Sequence, residues 1–417
     1  MEKVQAIRGT KDILPDNIYL WHFLFDKFKE ISSRFNYSEI RTPIFEKTEV
    51  FHRSIGEGTD IVNKEMYTFI DKGDESVTLR PEATAALVRS IIQNSLNHEN
   101  PILRLWYFGP FFRYERPQKG RLRQFHQYGA ELIGSPNPEA DIEIILLAIE
   151  LIKNIGINEY TLLINSLGNE KSRANYRTTL INFLKENSKK LSVESRNRLE
   201  VNPLRVLDSK DENDMKILEH APAIVDSLDE ESRLHFTTVL QGLEELGINY
   251  EINNKLVRGL DYYSHTVFEF RSNYLGSQDS FGGGGRYDGL FEQLGGKPTP
   301  AVGFAFGIER LLLILEQIDK LPEINQQIDF YFIIQKSEYY NFAQVLANKL
   351  RQNGKSALVE ILRRSLKAQM REANKVAANY AVIIGESEFL ENKLTVKKLA
   401  ESTQETLSVT EFLKLHQ

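Results

Sequence analysis

The chain has no cysteine among its 417 residues. That one absence excludes disulfides, thiolate zinc sites and cysteine nucleophiles. Histidine is scarce: eight are scattered along the chain, and no pair has the HExxH spacing of a zinc hydrolase. The expectation is that the protein supplies no metal site of its own. Long apolar runs are missing too, since none approaches the ~18 residues that suggest a spanning helix. The opening residues, MEKVQAIRGTKD, lack an apolar signal core. These features predict a soluble, cytoplasmic protein with no membrane partner. An excess of positive charge is also lacking, because the net charge is -6.

Standard nucleotide loops are absent as well. The run SFGGGGRYDG (280–289) has four consecutive glycines beside a cation. With Gly282 and Gly284 as the first two positions of GxGxxG, the third falls on Tyr287; starting one residue later, it falls on Asp288. Gly354-Lys355-Ser356 resembles the end of a P-loop, but the leading glycine position holds Lys349. It also lies between a helix and a strand, whereas a P-loop runs from strand to helix. No serine stands in GxSxG. Dehydrogenase, P-loop ATPase and α/β-hydrolase readings lose their support.

What is present has an order. PDNIYLWHFLFDKFKEISSRF (15–35) has a helical apolar period. EIRTPIFE reads as a strand ended by Pro43, and YTFIDKGDESVTLR as a hairpin. PEATAALVRSIIQNSL follows as a helix. LRLWYFGPFFRYE and RQFHQYGAELIG predict a long antiparallel hairpin with cations in its loop. Residues 169–253 turn helical and charged, which reads as an insertion. Strand patterns resume after it and reach AVGFAFGIERLLLILEQI, a strand running into a helix. Beyond the polar linker 321–327, strands alternate with helices, implying a small α/β domain. Residues 326–417 hold 13 Lys and Arg against 10 Asp and Glu, a net of +3. The remainder holds 39 against 48, a net of -9. A basic C-terminal unit on an acidic body hints at a polyanionic partner.

Arginine carries the chemistry. Strand alternation would put Arg113 and Glu115 on one face of the first hairpin strand. An arginine and a glutamate there suit a polar ligand, or a solvated ion pair. Arg116, Lys119, Arg121 and Arg123 border the loop. Arg310 opens a helix, where free N–H groups and the helix dipole also favour anions. In the last domain Arg363, Lys367, Arg371 and Lys375 recur every four residues, which aligns them on one helix face. That face is either solvated or a phosphate-contacting surface.

Taken in order, a helix and strand ending at Pro43, an FRxE hairpin and a GxxxGxER strand–helix resemble the three motifs of class II aminoacyl-tRNA synthetases. Finer peptides resemble the histidine–tRNA ligase family: IRGTKD (7–12), LRPEAT (79–84), ERPQKGR (115–121), RQFHQ (123–127), VRGLDYY (257–263) and SFGGGGRYDG itself. The resemblance implies an α+β catalytic domain, residues 1–325, with an antiparallel class II sheet and the helical insertion at about 169–253. A C-terminal α/β anticodon-binding domain, 326–417, follows. It also implies a homodimer, and partners L-histidine, ATP with its Mg²⁺, and tRNA(His).

By the same resemblance, histidine is held by Glu82, Ala83, Thr84, Gln127, Glu131, Arg258, Tyr262, Tyr263 and Tyr287. Arg113, Glu115, Arg121, Phe125 and Arg310 hold ATP. Arg113 and Arg258 are catalytic, stabilising the α-phosphate from opposite sides. Arg116, Gln118, Arg363, Lys367 and Arg371 meet tRNA. The four glycines are expected to bring backbone close to histidine, with Tyr287 walling the pocket. The neutral imidazole has one donor and one acceptor nitrogen, and Glu131 with Tyr263 supply partners for both. The alternatives are a non-catalytic, histidine-binding regulatory paralogue of ATP phosphoribosyltransferase, a class II enzyme for proline or threonine, and a polyanion-binding α/β protein.

Overall fold

Pro15 starts the first helix, Pro15–Arg34, with Asp16 in its first turn. Proline there gives up no intrahelical hydrogen bond, and an acid suits the N-terminal dipole. Leu20, Leu24, Phe28 and Ile31 form its buried stripe. Ser32 Oγ meets Tyr128 Oη at 2.6 Å, tying the helix to the sheet. This computed structural model describes residues 3–56, 59–276, 279–323 and 327–416. The chain forms two compact units, Met1–Pro322 and Glu323–Gln417.

The first unit is built on an eight-stranded sheet. At its centre, Leu103–Phe112 pairs antiparallel with Gln124–Ile133, and that strand pairs with Ala301–Gly307. Next come the glycine strand Ser280–Arg286, then Ser264–Arg271, then Thr161–Ser166, all antiparallel. The expected antiparallel sheet is present, but each edge adds a two-residue parallel strand, Ser38–Glu39 and Glu251–Ile252. The second edge strand falls within the segment expected to be helical insertion. The predicted strand before Pro43 is also broken: Ser38–Glu39 joins the large sheet, and Phe45–Lys47 joins a separate three-stranded sheet with the 67–79 hairpin.

Strand alternation divides the core. Trp106, Tyr128, Phe268, Phe304 and Phe306 face the helices Pro15–Arg34, Pro138–Asn154 and Ile308–Gln317. Leu105, Tyr107, Val267 and Tyr287 face the other side, in one cluster with Tyr176, Leu180 and Val206 of the insertion. The functional side chains lie on this second face. The insertion runs through helices Glu170–Glu186, Val193–Val201, Glu212–Leu218 and Glu230–Glu245.

Arg286, at the end of the glycine strand, is fully buried. Its Nε donates to Asp141 Oδ2 at 3.1 Å, and its other nitrogens reach Ser135 O, Asn137 O and Asp288. The cation beside the glycines is therefore structural. Burial alone would raise the Asp141 carboxyl, but Arg286 and His235 outweigh it and hold it at about 2.

The second unit is a five-stranded mixed sheet. Ala357–Val359, Ile328–Ile334 and Ala378–Ile384 are parallel, and Lys393–Lys398 with Thr403–Ser408 continue antiparallel. The last strand, TQETLS, has no hydrophobic alternation in its sequence and was not among the expected elements. The basic helix is Leu366–Lys375. Lys367, Arg371 and Lys375 lie exposed on it, but Arg363 does not belong to it. Arg363 has φ 53°, and Ser365 is extended at the N-cap. Arg364 anchors this start through ion pairs to Glu360 at 2.6 Å and Glu372 at 3.0 Å.

Candidate active site

The second face of the large sheet opens into a cavity of about 1210 Å³. Its floor is made by alternate residues of neighbouring strands. Glu131 sits opposite Gly303 in register, and the missing side chain at Gly303 gives the carboxylate its space. A Cβ on Gly303 would lie 1.5 Å from Glu131 Oε2. Glu131 is 1% exposed. Thr84 Oγ1 donates to its Oε1 at 3.0 Å, and the Tyr287 hydroxyl donates to its Oε2 at 2.6 Å. Among the described residues no cation pairs with it, so burial pushes its carboxyl up to about 8, against the two hydroxyl donors. Burying a carboxylate without a cation is costly. Here the energetic cost leaves an acceptor poised for a donor-bearing ligand.

Tyr262, Tyr263 and Tyr287 wall this end of the cavity. The rings of Tyr262 and Tyr263 lie 4.7 Å apart, and those of Tyr262 and Tyr287 lie 5.7 Å apart. Burial raises the hydroxyls of all three, Tyr263 to about 12, so they remain donors. Glu82, Thr84 and Gln127 also line the cavity. Glu82 accepts from the backbone N–H of Thr84 at 2.6 Å and of Ala85 at 2.9 Å, capping the helix Thr84–Asn94. Burial raises its carboxyl. Ala83 is buried in the core beneath and is not among the cavity-lining residues.

Arginines converge on the cavity from three elements. Arg258 is ion-paired with Glu269 at 2.6 Å, and its buried Nε has no hydrogen-bond partner among the described residues. Arg310 donates through Nε to Gly120 O at 3.0 Å, and through Nη1 to Ser280 O. Burial lowers the Arg310 pKa, with Arg121 and Arg113 adding like-charge repulsion. Glu115 and Glu269 offset part of that repulsion, and an anionic ligand would offset more. Arg113 Nε donates to Pro81 O at 3.0 Å, and its guanidinium lies 5.4 Å from the Phe125 ring centre. Arg121 Nη1 is 3.2 Å from Glu115 Oε2.

The expected pleat geometry for Arg113 and Glu115 does not hold. The strand ends at Phe112, and Glu115 N donates back to Arg113 O at 2.8 Å. A turn, not strand alternation, brings the two side chains within 4.0 Å. Arg116 and Gln118 are exposed on the loop, outside the cavity lining.

The glycines divide by strand face. A Cβ on Gly283 would stand 2.9 Å from Arg258 Nη1, and one on Gly285 would stand 3.0 Å from Tyr263 Cδ1. Gly282 instead makes room for Phe306 at 2.1 Å, and Gly284 for the backbone of Gly303 and Phe304. Gly282 and Gly283 line the cavity, while the Cβ spaces at Gly282 and Gly284 are taken by aromatic and backbone packing on the opposite side.

Many lining residues were not among those expected from the sequence, Tyr107, Glu269 and Asp60 among them. Tyr107 was legible through strand alternation with Leu105. Glu269 looked like one charge in an ordinary strand, and Asp60 like one acid in a loop. Among the described residues, no three His, Asp or Glu side chains gather as a metal cluster.

Residues 9–311 match the family described as histidyl-tRNA synthetase, and residues 329–417 match the anticodon binding domain. The chain belongs to the histidyl-tRNA synthetase family. Among relatives of this family, the chloroplastic histidine–tRNA ligase of Gracilaria tenuistipitata var. liui is 49% identical over 415 residues, covering 99% of this chain and 97% of that protein. Histidine–tRNA ligase of Cyanothece sp. (strain PCC 7425 / ATCC 29141) is 46% identical, covering 99% and 96%. The crystal structure of apo S. aureus histidyl-tRNA synthetase superposes with a TM-score of 0.83 at 36% identity, covering 99% of this chain and all of that one. The class II fold and ligase class expected from the motifs are therefore those of the family.

Proposed function

We propose that the cavity binds L-histidine at its Glu131 end and ATP at its Arg113 and Arg310 end, forms histidyl-adenylate, and passes histidine to tRNA(His). The observation that carries the assignment of ends is Glu131, a buried carboxyl with hydroxyl donors and no cation among the described residues. An imidazole N–H would complete it, and the Tyr263 hydroxyl would serve the second ring nitrogen. A site built to pair both nitrogens discriminates by ~10⁴ or more against analogues lacking them. Glu82, Thr84 and Gln127 offer oxygen acceptors for the α-ammonium.

Activation is in-line attack of the histidine carboxylate on the α-phosphorus, with pyrophosphate leaving. No covalent enzyme intermediate is needed, so the protein's work is orientation and charge stabilisation. Arg113 and Arg258 stabilise charge on the α-phosphoryl oxygens. Arg121 and Arg310 hold the outer phosphates. Glu115 accepts from the adenine amino group beside Phe125. Mg²⁺ enters with the nucleotide as part of the substrate, since such an ion is held largely by phosphate and water.

Arg116 and Gln118 meet the acceptor end of tRNA, while Lys367 and Arg371, with Arg363 beside them, meet its anticodon end. A homodimer is supported by Ile44, Phe45, Phe69 and Ile70, which are 45–62% exposed around the small sheet. A second copy would cover them. This reading assigns the reaction to the cytoplasm, where ATP and tRNA meet. The regulatory alternative is not favoured, because Arg113, Arg258 and Arg310 are all present and directed at one cavity. The experiment is amino-acid-dependent exchange of pyrophosphate into ATP, run with all twenty amino acids. Exchange with histidine alone is expected; binding of histidine without exchange would restore the regulatory reading.

A further inference from the structure

The segment Arg258–Tyr263 carries five cavity-lining residues, yet it is neither helix nor strand. Its position is set from outside, by the helical insertion. Arg205 Nη1 donates to Arg258 O at 3.2 Å. Asn202 Nδ2 donates to Asp261 Oδ1 at 3.0 Å. Arg173 Nη1 donates to Tyr263 O at 2.8 Å. Thus three side chains from two parts of the insertion hold the first, fourth and sixth residues of the segment. The gripping residues are themselves well placed, since the Arg205 side chain is 11% exposed.

The same insertion residues reach the opposite rim. Asp60, which lines the cavity, lies 3.6 Å from Arg198 and 3.9 Å from Arg205. Asp261 joins the two rims as well: its N–H donates to Ile55 O at 3.1 Å. Its carboxylate packs on Gly56, where a Cβ would lie 2.4 Å from Oδ2. Arg205 therefore touches the main chain of the proposed catalytic arginine with one nitrogen and faces an acid of the other rim with another.

We propose that Arg173, Asn202 and Arg205 are positioning residues for histidine activation, through which the insertion sets where Arg258 and Tyr263 stand. The proposal rests on the reading of the cavity as the histidine and ATP site. The physical reason is the sensitivity of in-line chemistry to placement, where an error of about 1 Å costs ~10²-fold. Among the described residues Arg258 Nε has no hydrogen-bond partner, so its side chain is steered by Glu269 and by its own backbone. Removing the charge-assisted bond to its carbonyl frees that backbone. The packing of Tyr176, Leu180 and Leu184 holds the insertion independently of these bonds.

The test uses the full-length protein in histidine-dependent pyrophosphate exchange. Wild-type protein is measured first: no exchange with histidine would remove the underlying reading, separately from the present one. Arg205→Ala is expected to raise the histidine KM about tenfold and lower kcat, with the ATP KM nearly unchanged. Arg205→Lys, which keeps a charged donor, should recover part of the loss. Lys189→Ala, exposed on the same insertion, should behave as wild type. Asn202→Ala provides a second reading if Arg205→Ala does not fold, and should raise the histidine KM severalfold. Wild-type kinetics in whichever of these two variants folds would overturn the proposal. So would equal losses for histidine and ATP that follow the folded fraction in a thermal melt.

Discussion

Gly303 and Glu131 form a pair in which one residue exists to admit the other. Gly303→Ala should displace the carboxylate and raise the histidine KM at least tenfold in pyrophosphate exchange, with a smaller effect on ATP. Glu131→Gln should reduce histidine activation by ~10²-fold, because the carboxyl can give up its proton when an imidazole N–H arrives, whereas the amide cannot. It should also alter the pH dependence of stability. The folded state keeps the Glu131 proton up to about pH 8, whereas an unfolded glutamate loses it near its ordinary value. Between those limits the folded state binds more protons, so this residue lowers stability as pH rises, by at most about 1.4 kcal/mol per unit. Denaturant titrations from pH 5 to 8, without histidine, should show this fall in the wild type and lose that part of it in Glu131→Gln. At Gly283, valine should press on both the Phe268 carbonyl, 2.6 Å from the Cβ position, and Arg258 Nη1 at 2.9 Å, so adenylation kcat should drop.

The elements carry different burdens. The helix Pro138–Asn154 is joined to the glycine strand by the Asp141–Arg286 pair, with both side chains 0% exposed. Asp141→Asn leaves buried Arg286 with only the partly exposed Asp288 as counter-charge, and removing one partner of such a buried pair costs up to about 3–5 kcal/mol. Urea denaturation should register that loss, whereas a role in substrate binding alone would leave the midpoint unchanged. On the basic helix Leu366–Lys375, neutralising Lys367, Arg371 and Lys375 together should raise the tRNA KM and flatten its salt dependence. Pyrophosphate exchange should be unaffected. Arg363 was grouped with them by spacing, but a left-handed residue and the Ser365 cap intervene. Its replacement is predicted to add little to the effect of the other three.

At the scale of the whole molecule, every side chain assigned to histidine and ATP belongs to Met1–Pro322. The exposed apolar group Ile44, Phe45, Phe69 and Ile70 lies on the same unit. Phe69→Asp combined with Ile70→Asp should shift the proposed dimer to monomer in sedimentation velocity. An unchanged sedimentation coefficient would move the dimer interface elsewhere.

Local chemistry made much of this protein legible in its sequence. Pro15 with a helical apolar period, aromatic and β-branched alternation in the long hairpin, and the glycine and arginine peptides all declare themselves within short windows. The motifs named the family because their residue types and order are specific. Tertiary structure alone decided what those residues face. Two adjacent glycines serve opposite sides of a sheet; Arg286 is a structural ion, while Arg258 is directed into the cavity. Arg113 and Glu115 meet through a turn, and Asp60 faces Arg205 across about 145 positions of chain. The physical reason is that a strand's two faces and a cavity's two rims are assembled from residues distant in sequence. Burial, register and counter-charge exist only once those distant segments pack.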